Sequence, residues 1–133
     1  MTAPMPDEED GCLSGEEVGR LDLRADARAP RLVRRWLRSF VDDAGTLELL
    51  ASEVVTNSVL HGPDAVISVV LRRSTKTIRF ECTDQGQGTP TGRNAAETDE
   101  DGRGLLLLSA LARTWSAETT MTGTTVWFEL APS

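Results

Sequence analysis

The stretch Leu47 to Gly62, LELLASEVVTNSVLHG, has the residue content of a long helix, yet it sets polar groups where a core helix has none. At about 100° of rotation per residue, Glu53, Asn57 and His61 recur every fourth position and form one stripe. Leu47, Leu50, Ala51, Val54 and Val55 border that stripe on one side, and Leu49 and Leu60 border it on the other. A carboxylate, an amide and an imidazole are therefore expected along the floor of an apolar groove. Burying such groups without partners costs about 1 to 3 kcal/mol each. A ligand and a metal ion would offset that cost; so would partial exposure, with Glu53 capping a neighbouring loop. The helix alone leaves both readings open.

With 133 residues the chain can bury a core without covalent staples, and its low aromatic share of 5% suits an aliphatic interior layered between helices and a sheet. No run approaches the roughly 20 apolar residues of a membrane-spanning helix, and the amino terminus MTAPMPDEEDG lacks the pattern of a secretory signal, so a cytoplasmic protein is expected. Cys12 and Cys82 are the only cysteines, too few for a disulfide framework or a thiolate metal site. Cys82 is expected to pack as a small hydrophobe. The net charge of −7 is unevenly placed: six of the 21 acids fall in the first 17 residues, and from Val18 onward 14 basic residues face 15 acidic ones. A nearly neutral fold without a basic patch disfavours nucleic acid as a partner.

Residues 1–16 combine Pro, Gly, Ser and acids with little to bury, and are read as a disordered acidic leader before one domain at 17–133. Val18 to Arg24 alternates as an edge strand does. Pro30 then opens a helix from Arg31 to about Asp43 with Val33, Trp36, Leu37, Phe40 and Val41 inward. Arg31, Arg34, Arg35 and Arg38 gather on its other side, as a solvated face or as a dock for an acidic protein surface. After the central helix, Gly62-Pro63 is expected to supply a left-handed cap and a stop. Val66 to Arg72 and Thr77 to Thr83 form a hairpin around Arg73 to Lys76. A long loop covers Asp84 to Gly104, a buried helix runs from there to about Arg113, and Trp115 to Thr120 pairs with Thr124 to Leu130. This order predicts an α/β (α+β) two-layer sandwich, a mostly antiparallel sheet with three helices on one face.

The loop opens on Asp84-Gln85-Gly86-Gln87-Gly88, straight after the strand IRFECT, so the carboxylate stands at a strand end. Gly86 and Gly88 let the backbone turn tightly and approach a flat ligand. Gly102-Arg103-Gly104 then opens a helix, whose first amides and positive dipole end suit an anion such as phosphate. Neither GxGxxG nor the GxxxxGK[ST] phosphate loop occurs.

Four segments together carry a resemblance: ExxxN in Glu53 to Asn57, DxGxG in Asp84 to Gly88, GRG in Gly102 to Gly104, and GTTVWF in Gly123 to Phe128. In order and spacing they resemble the nucleotide-binding boxes of the GHKL-type, histidine kinase-like ATPases, which include gyrase, a heat-shock chaperone, histidine kinases and mismatch-repair proteins. EVVTNSVLHG, the short lid, the Pro after DxGxGT and the near-terminal GTTVWF are most similar to the bacterial anti-sigma-factor serine kinases. The resemblance spans roughly residues 18 to 131 and implies a Bergerat-type fold that binds ATP with Mg2+.

Carried onto this sequence, it implies that Asp84 accepts a hydrogen bond from the adenine amine, with Thr124 in support and Thr125 turned to the opposite side of its strand. Asn57 would ligate Mg2+, and Glu53 would be the general base. His61 and Gly62 would border the nucleotide, residues 89–101 would form the lid, and Gly102, Arg103, Gly104 and Leu105 would complete the phosphate end. Arg93 or Arg103 would add a guanidinium there, or pair with the acids of the lid. The lid departs from the family in its run Glu97-Thr98-Asp99-Glu100-Asp101, whose charge opposes phosphate unless it points outward. The implied activity is phosphorylation of an anti-anti-sigma-type antagonist, with a sigma factor as second partner and homodimerisation by family analogy. A catalytically silent ATP-holding module is the alternative. A detached histidine-kinase domain is disfavoured, because no segment supplies paired dimerisation helices with a phosphoacceptor His.

Overall fold

The computed structural model describes residues 15–42, 44–62, 65–84, 106–120 and 123–132. Strand β1 is Glu16–Arg24, helix α1 Ala29–Arg38, helix α2 Gly45–His61, strand β2 Val66–Arg73 and strand β3 Ile78–Asp84. Residues 106–111 are helical, here α3, and lead into β4, Thr114–Thr120, and β5, Gly123–Leu130. The strands form one sheet in the order β1-β2-β3-β5-β4, and each neighbouring pair is antiparallel. The α+β sandwich read from the sequence is thus present, with an antiparallel sheet throughout the described strands.

Period-two alternation decides which side of the sheet meets the helices. Ile67, Val69 and Leu71 of β2, Ile78, Phe80 and Cys82 of β3, and Phe128 of β5 are buried in one cluster with Val33 and Leu37 of α1 and Leu47, Leu50, Ala51, Val54 and Val55 of α2. Phe80 and Phe128 are register partners whose ring centroids lie 5.4 Å apart. On the other face the alternate residues build an ionic ladder: Arg72 Nε reaches Glu81 at 3.3 Å, Arg79 Nε the same carboxylate at 2.8 Å, and Arg79 Nη1 reaches Glu129 at 3.1 Å. The Arg79 guanidinium also lies 3.8 Å from the centre of the Trp127 ring. That face is polar but internally paired.

Helix α1 ends earlier than its apolar pattern predicts. Ser39 and Phe40 donate their backbone N–H groups three residues back, to Trp36 and Leu37, and Ser39 Oγ donates to Trp36 O at 2.6 Å, tightening the last turn so that the helix stops at Arg38. Phe40 and Val41 still pack against the core from the turn that follows. The arginine side divides. Arg34 donates to Ser52 Oγ at 3.1 Å and Arg38 donates to both oxygens of Glu48 at 3.1 and 3.0 Å, so these two clamp α1 to α2, while Arg31 and Arg35 face solvent. Gly19 lies at the register shift between Glu17 and Gly19 in β1, where a Cβ would stand 2.5 Å from Phe40 Cζ; glycine lets the aromatic ring close on the strand.

The central helix begins at Gly45, after Ala44 at the cap. One further expectation is corrected. Helix α3 is not buried along its length: Leu108 is enclosed and Leu107 packs on the core, but Leu106 is 70% and Leu111 43% exposed.

Candidate functional site

Helix α2 buries Leu47, Leu50, Ala51, Val54, Val55 and Ser58 against the sheet, which leaves the neighbouring stripe of Glu53 and Asn57 at its margin. Both are half-buried. His61 is the last helical residue; its side chain lies outside the described part of the structure. Gly62 closes the helix by donating its N–H to Ser58 O at 3.0 Å, with φ −146°, so the cap is not the left-handed one expected of this glycine. The far wall of the expected groove differs as well. Leu49 and Leu60 are 43% and 52% exposed, so the described residues enclose the polar stripe on one side only.

Asp84 is the last residue of β3 and is only 8% exposed, a carboxylate at a strand end on the same face as Phe80 and Cys82. Its register partners are Ile67 on β2 and Thr124 on β5. Directly opposed residues of an antiparallel pair share a face, so Thr124 stands beside Asp84 and looks toward the helical layer. Thr125 looks the other way, where its Oγ1 lies 3.0 Å from Thr83 Oγ1. The opposite orientation of the two threonines, expected from the strand period, is what the register gives.

What joins the helix to this strand end is a contact the sequence reading did not single out. Ser58 Oγ lies 3.6 Å from Cys82 Sγ, with both residues buried. Ser58 follows Asn57, and Cys82 precedes Asp84 by two positions on the same face, so the second half of α2 lies over the Asp84 end of β3. Ser58 continues the buried positions 47, 51 and 54, and a polar residue inside that apolar series was the available signal.

Burial pushes the Cys82 thiol up to about 12, opposed in part by its hydrogen bond with Ser58 and reinforced by the nearby Asp84 charge. Raised above its unfolded value, this group contributes stability that is fully present below about pH 9 and is lost as pH rises toward 12. Alkaline titration should accordingly lower the urea midpoint of the wild type more than that of Cys82→Ala, compared at matched pH. Iodoacetamide should leave Cys82 unmodified in the native protein at pH 8 and label it in urea, as read by peptide mass spectrometry.

Gly86, Gly88, Gly102, Arg103, Gly104 and Leu105, with Arg93 and the acidic run at 97–101, lie outside the described residues. Among the described residues no three His, Cys, Asp or Glu side chains cluster as a metal site. No helix among the described residues is long and apolar enough to cross a membrane.

Comparison with known proteins bears on the whole of this arrangement. The model of the histidine kinase-like ATPase domain matches residues 22–130. Among solved structures, the histidine kinase domain of the blue-light activated histidine kinase from Erythrobacter litoralis EL346 is 28% identical, over 65% of this chain and 43% of that one, with a TM-score of 0.45. The chain thus spans less than half of that relative's length. No curated protein matches the sequence. The family model takes in β1 from Asp22, both long helices, the Asp84 strand end and the Thr124 strand, and by that match the chain belongs to the histidine kinase-like ATPase domain family.

Proposed function

We propose that this domain binds ATP and acts as an anti-sigma-factor-type serine/threonine protein kinase. It would phosphorylate an anti-anti-sigma-type antagonist and control a sigma factor by exchanging partners. The observation that carries the reading is the pairing of a buried strand-end acid, Asp84, with Thr124, under a helix whose Ser58–Cys82 contact sets Asn57 near that same strand end. Membership of an ATPase family supports the nucleotide. The kinase branch rests on the likeness of EVVTNSVLHG and GTTVWF to the anti-sigma serine kinases.

In this reading Asp84 accepts the exocyclic N–H of adenine and Thr124 supports it. Asn57 offers its side-chain oxygen to Mg2+, which when bound would neutralise phosphate charge. Glu53, one helical turn before Asn57, takes the proton of the incoming serine hydroxyl. The hydroxyl oxygen then bonds to the γ-phosphorus as the bond to the bridging oxygen breaks, and ADP leaves. His61 and Gly62 would border the nucleotide, and Gly102, Arg103, Gly104 and Leu105 would hold the phosphates.

A second reading, a silent ATP-holding module that acts by nucleotide-dependent association, is favoured by Glu97, Asp99, Glu100 and Asp101 immediately before Gly102. Calorimetry with ATP and Mg2+, followed by incubation with candidate antagonists, tests both. Wild type should bind ATP, and Asp84→Asn should weaken binding about 10- to 100-fold, the worth of a hydrogen bond to a charged acceptor. Unchanged affinity in Asp84→Asn would remove the assigned pocket. ATP binding without phosphate transfer to any antagonist would favour the silent module.

A further inference from the structure

Helix α1 presents a positive face that the described fold does not balance. Arg34 and Arg38 are spent on clamping α1 to α2, and Arg28 pairs with Asp26 at 3.3 Å. Arg31 and Arg35, one turn apart on the outer side, are exposed and have neither ion pair nor hydrogen bond among the described residues. The acids that could serve them are engaged: Asp26 holds Arg28, Glu48 takes both donors of Arg38, and the first turn of α1 contains no acid. The complementary charge lies just outside the fold. Asp7, Glu8, Glu9 and Asp10 are consecutive acids, and no Lys or Arg occurs before Arg20.

We infer that the acidic segment at residues 7–10 of the chain's own leader docks on the Arg31 and Arg35 face of α1. The place where the leader joins the fold makes this the near occupant. Gly15 lies against the backbone of Arg73, whose carbonyl carbon an added Cβ would approach to 2.6 Å, and Arg73 in turn donates to Phe40 O at 3.2 Å. Phe40 follows the last turn of α1, so the leader enters beside that end of the helix. At 1.5 Å per residue, Arg35 and Arg31 lie about 8 and 14 Å back along the axis from Phe40. An extended chain spans about 3.3 Å per residue, which gives Asp10 a reach of about 17 Å from Gly15 and Asp7 about 26 Å. Asp10 and Glu9 therefore meet Arg35, and Glu8 and Asp7 meet Arg31. Exposed ion pairs are individually weak, but the tether holds the acids at a millimolar effective concentration. The leader has too little to bury to fold alone, yet charge pairing asks for no core. Docked there, it withholds the face from acidic proteins, which must displace it to bind. The inference is independent of the nucleotide reading.

Two measurements on the full-length chain test the contact. Phenylglyoxal, read by peptide mass spectrometry, should modify Arg31 and Arg35 several-fold more slowly in the wild type than in a variant carrying Asp7→Asn, Glu8→Gln, Glu9→Gln and Asp10→Asn. The difference should vanish at about 1 M salt, where screening acts over about 3 Å. In Arg35→Lys, a water-soluble carbodiimide should join the new amine to a leader carboxylate as an amide, the reagent taking up the water and leaving as its urea. Circular dichroism would verify that each variant is folded. Lys76, in the turn between β2 and β3 and near Gly15, offers a competing amine. Links that form at Lys76 alone, or equal phenylglyoxal rates with and without the leader acids, would overturn the proposal. Links that join two copies and fall away on dilution would overturn the chain's own leader as occupant. So would a face open in the wild type that only added polyglutamate protects, which would make it a dock for a separate acidic protein.

Discussion

Glu53→Gln should abolish phosphate transfer to the antagonist while ATP binding survives. The substitution keeps the size of the side chain and its place one turn before Asn57, but an amide cannot take a proton from a serine hydroxyl. A positioned general base contributes about 10²- to 10⁴-fold to rate, and that is the loss expected in single-turnover transfer from radiolabelled ATP. Calorimetry should give ATP affinity within a few-fold of wild type, because the proposed adenine end is Asp84 and Thr124, across the sheet register from each other and at a distance in sequence from Glu53. Transfer at the wild-type rate would strip Glu53 of its role. Loss of binding together with transfer would make it a ligand or a structural residue instead.

The second large effect is on stability. Phe80→Ala should cost about 3 to 5 kcal/mol, since it deletes a fully buried ring from the centre of the sheet and leaves Phe128 facing a void. Against a total of about 5 to 15 kcal/mol for a domain, this is a loss that urea denaturation would report as a large fall in midpoint. Strand β3 holds Phe80 and Asp84 on one face, so the variant should also bind ATP less tightly at temperatures near its own unfolding. A midpoint within about 1 kcal/mol of wild type would mean that the core collapses around the gap.

Local pattern made most of the fold legible. The alternation IRFECTD is why Phe80, Cys82 and Asp84 share one face, and the same period told Thr124 from Thr125. Pro30 marked the start of α1, but nothing in the pattern marked its end, because Phe40 and Val41 keep an apolar phase while the chain has already turned under the Ser39 hydroxyl. Periodicity likewise gave a helix at 106–111 without telling which leucines face inward; four consecutive leucines fit any phase, and Leu106 and Leu108 came out at opposite extremes of burial. Leu49 and Leu60 show the same weakness at the candidate site. Ser58's place in the buried series of α2 was readable, but not its partner Cys82, since that depends on how α2 lies across β3, a long-range matter that neither element's own sequence states.

The polarity of the sheet carries a practical consequence. Gly15 enters β1 against the backbone of Arg73 and Ser74, and β5 runs out at Leu130 opposite Ile78, whereas Asp84 and Thr124 lie at the other extremity of these same strands. A fluorescent reporter or affinity tag joined directly before Gly15 or after Pro132 would start from the side remote from the acid and its threonine. Such fusions should leave ligand entry unobstructed, making this domain a convenient cassette for building sensors.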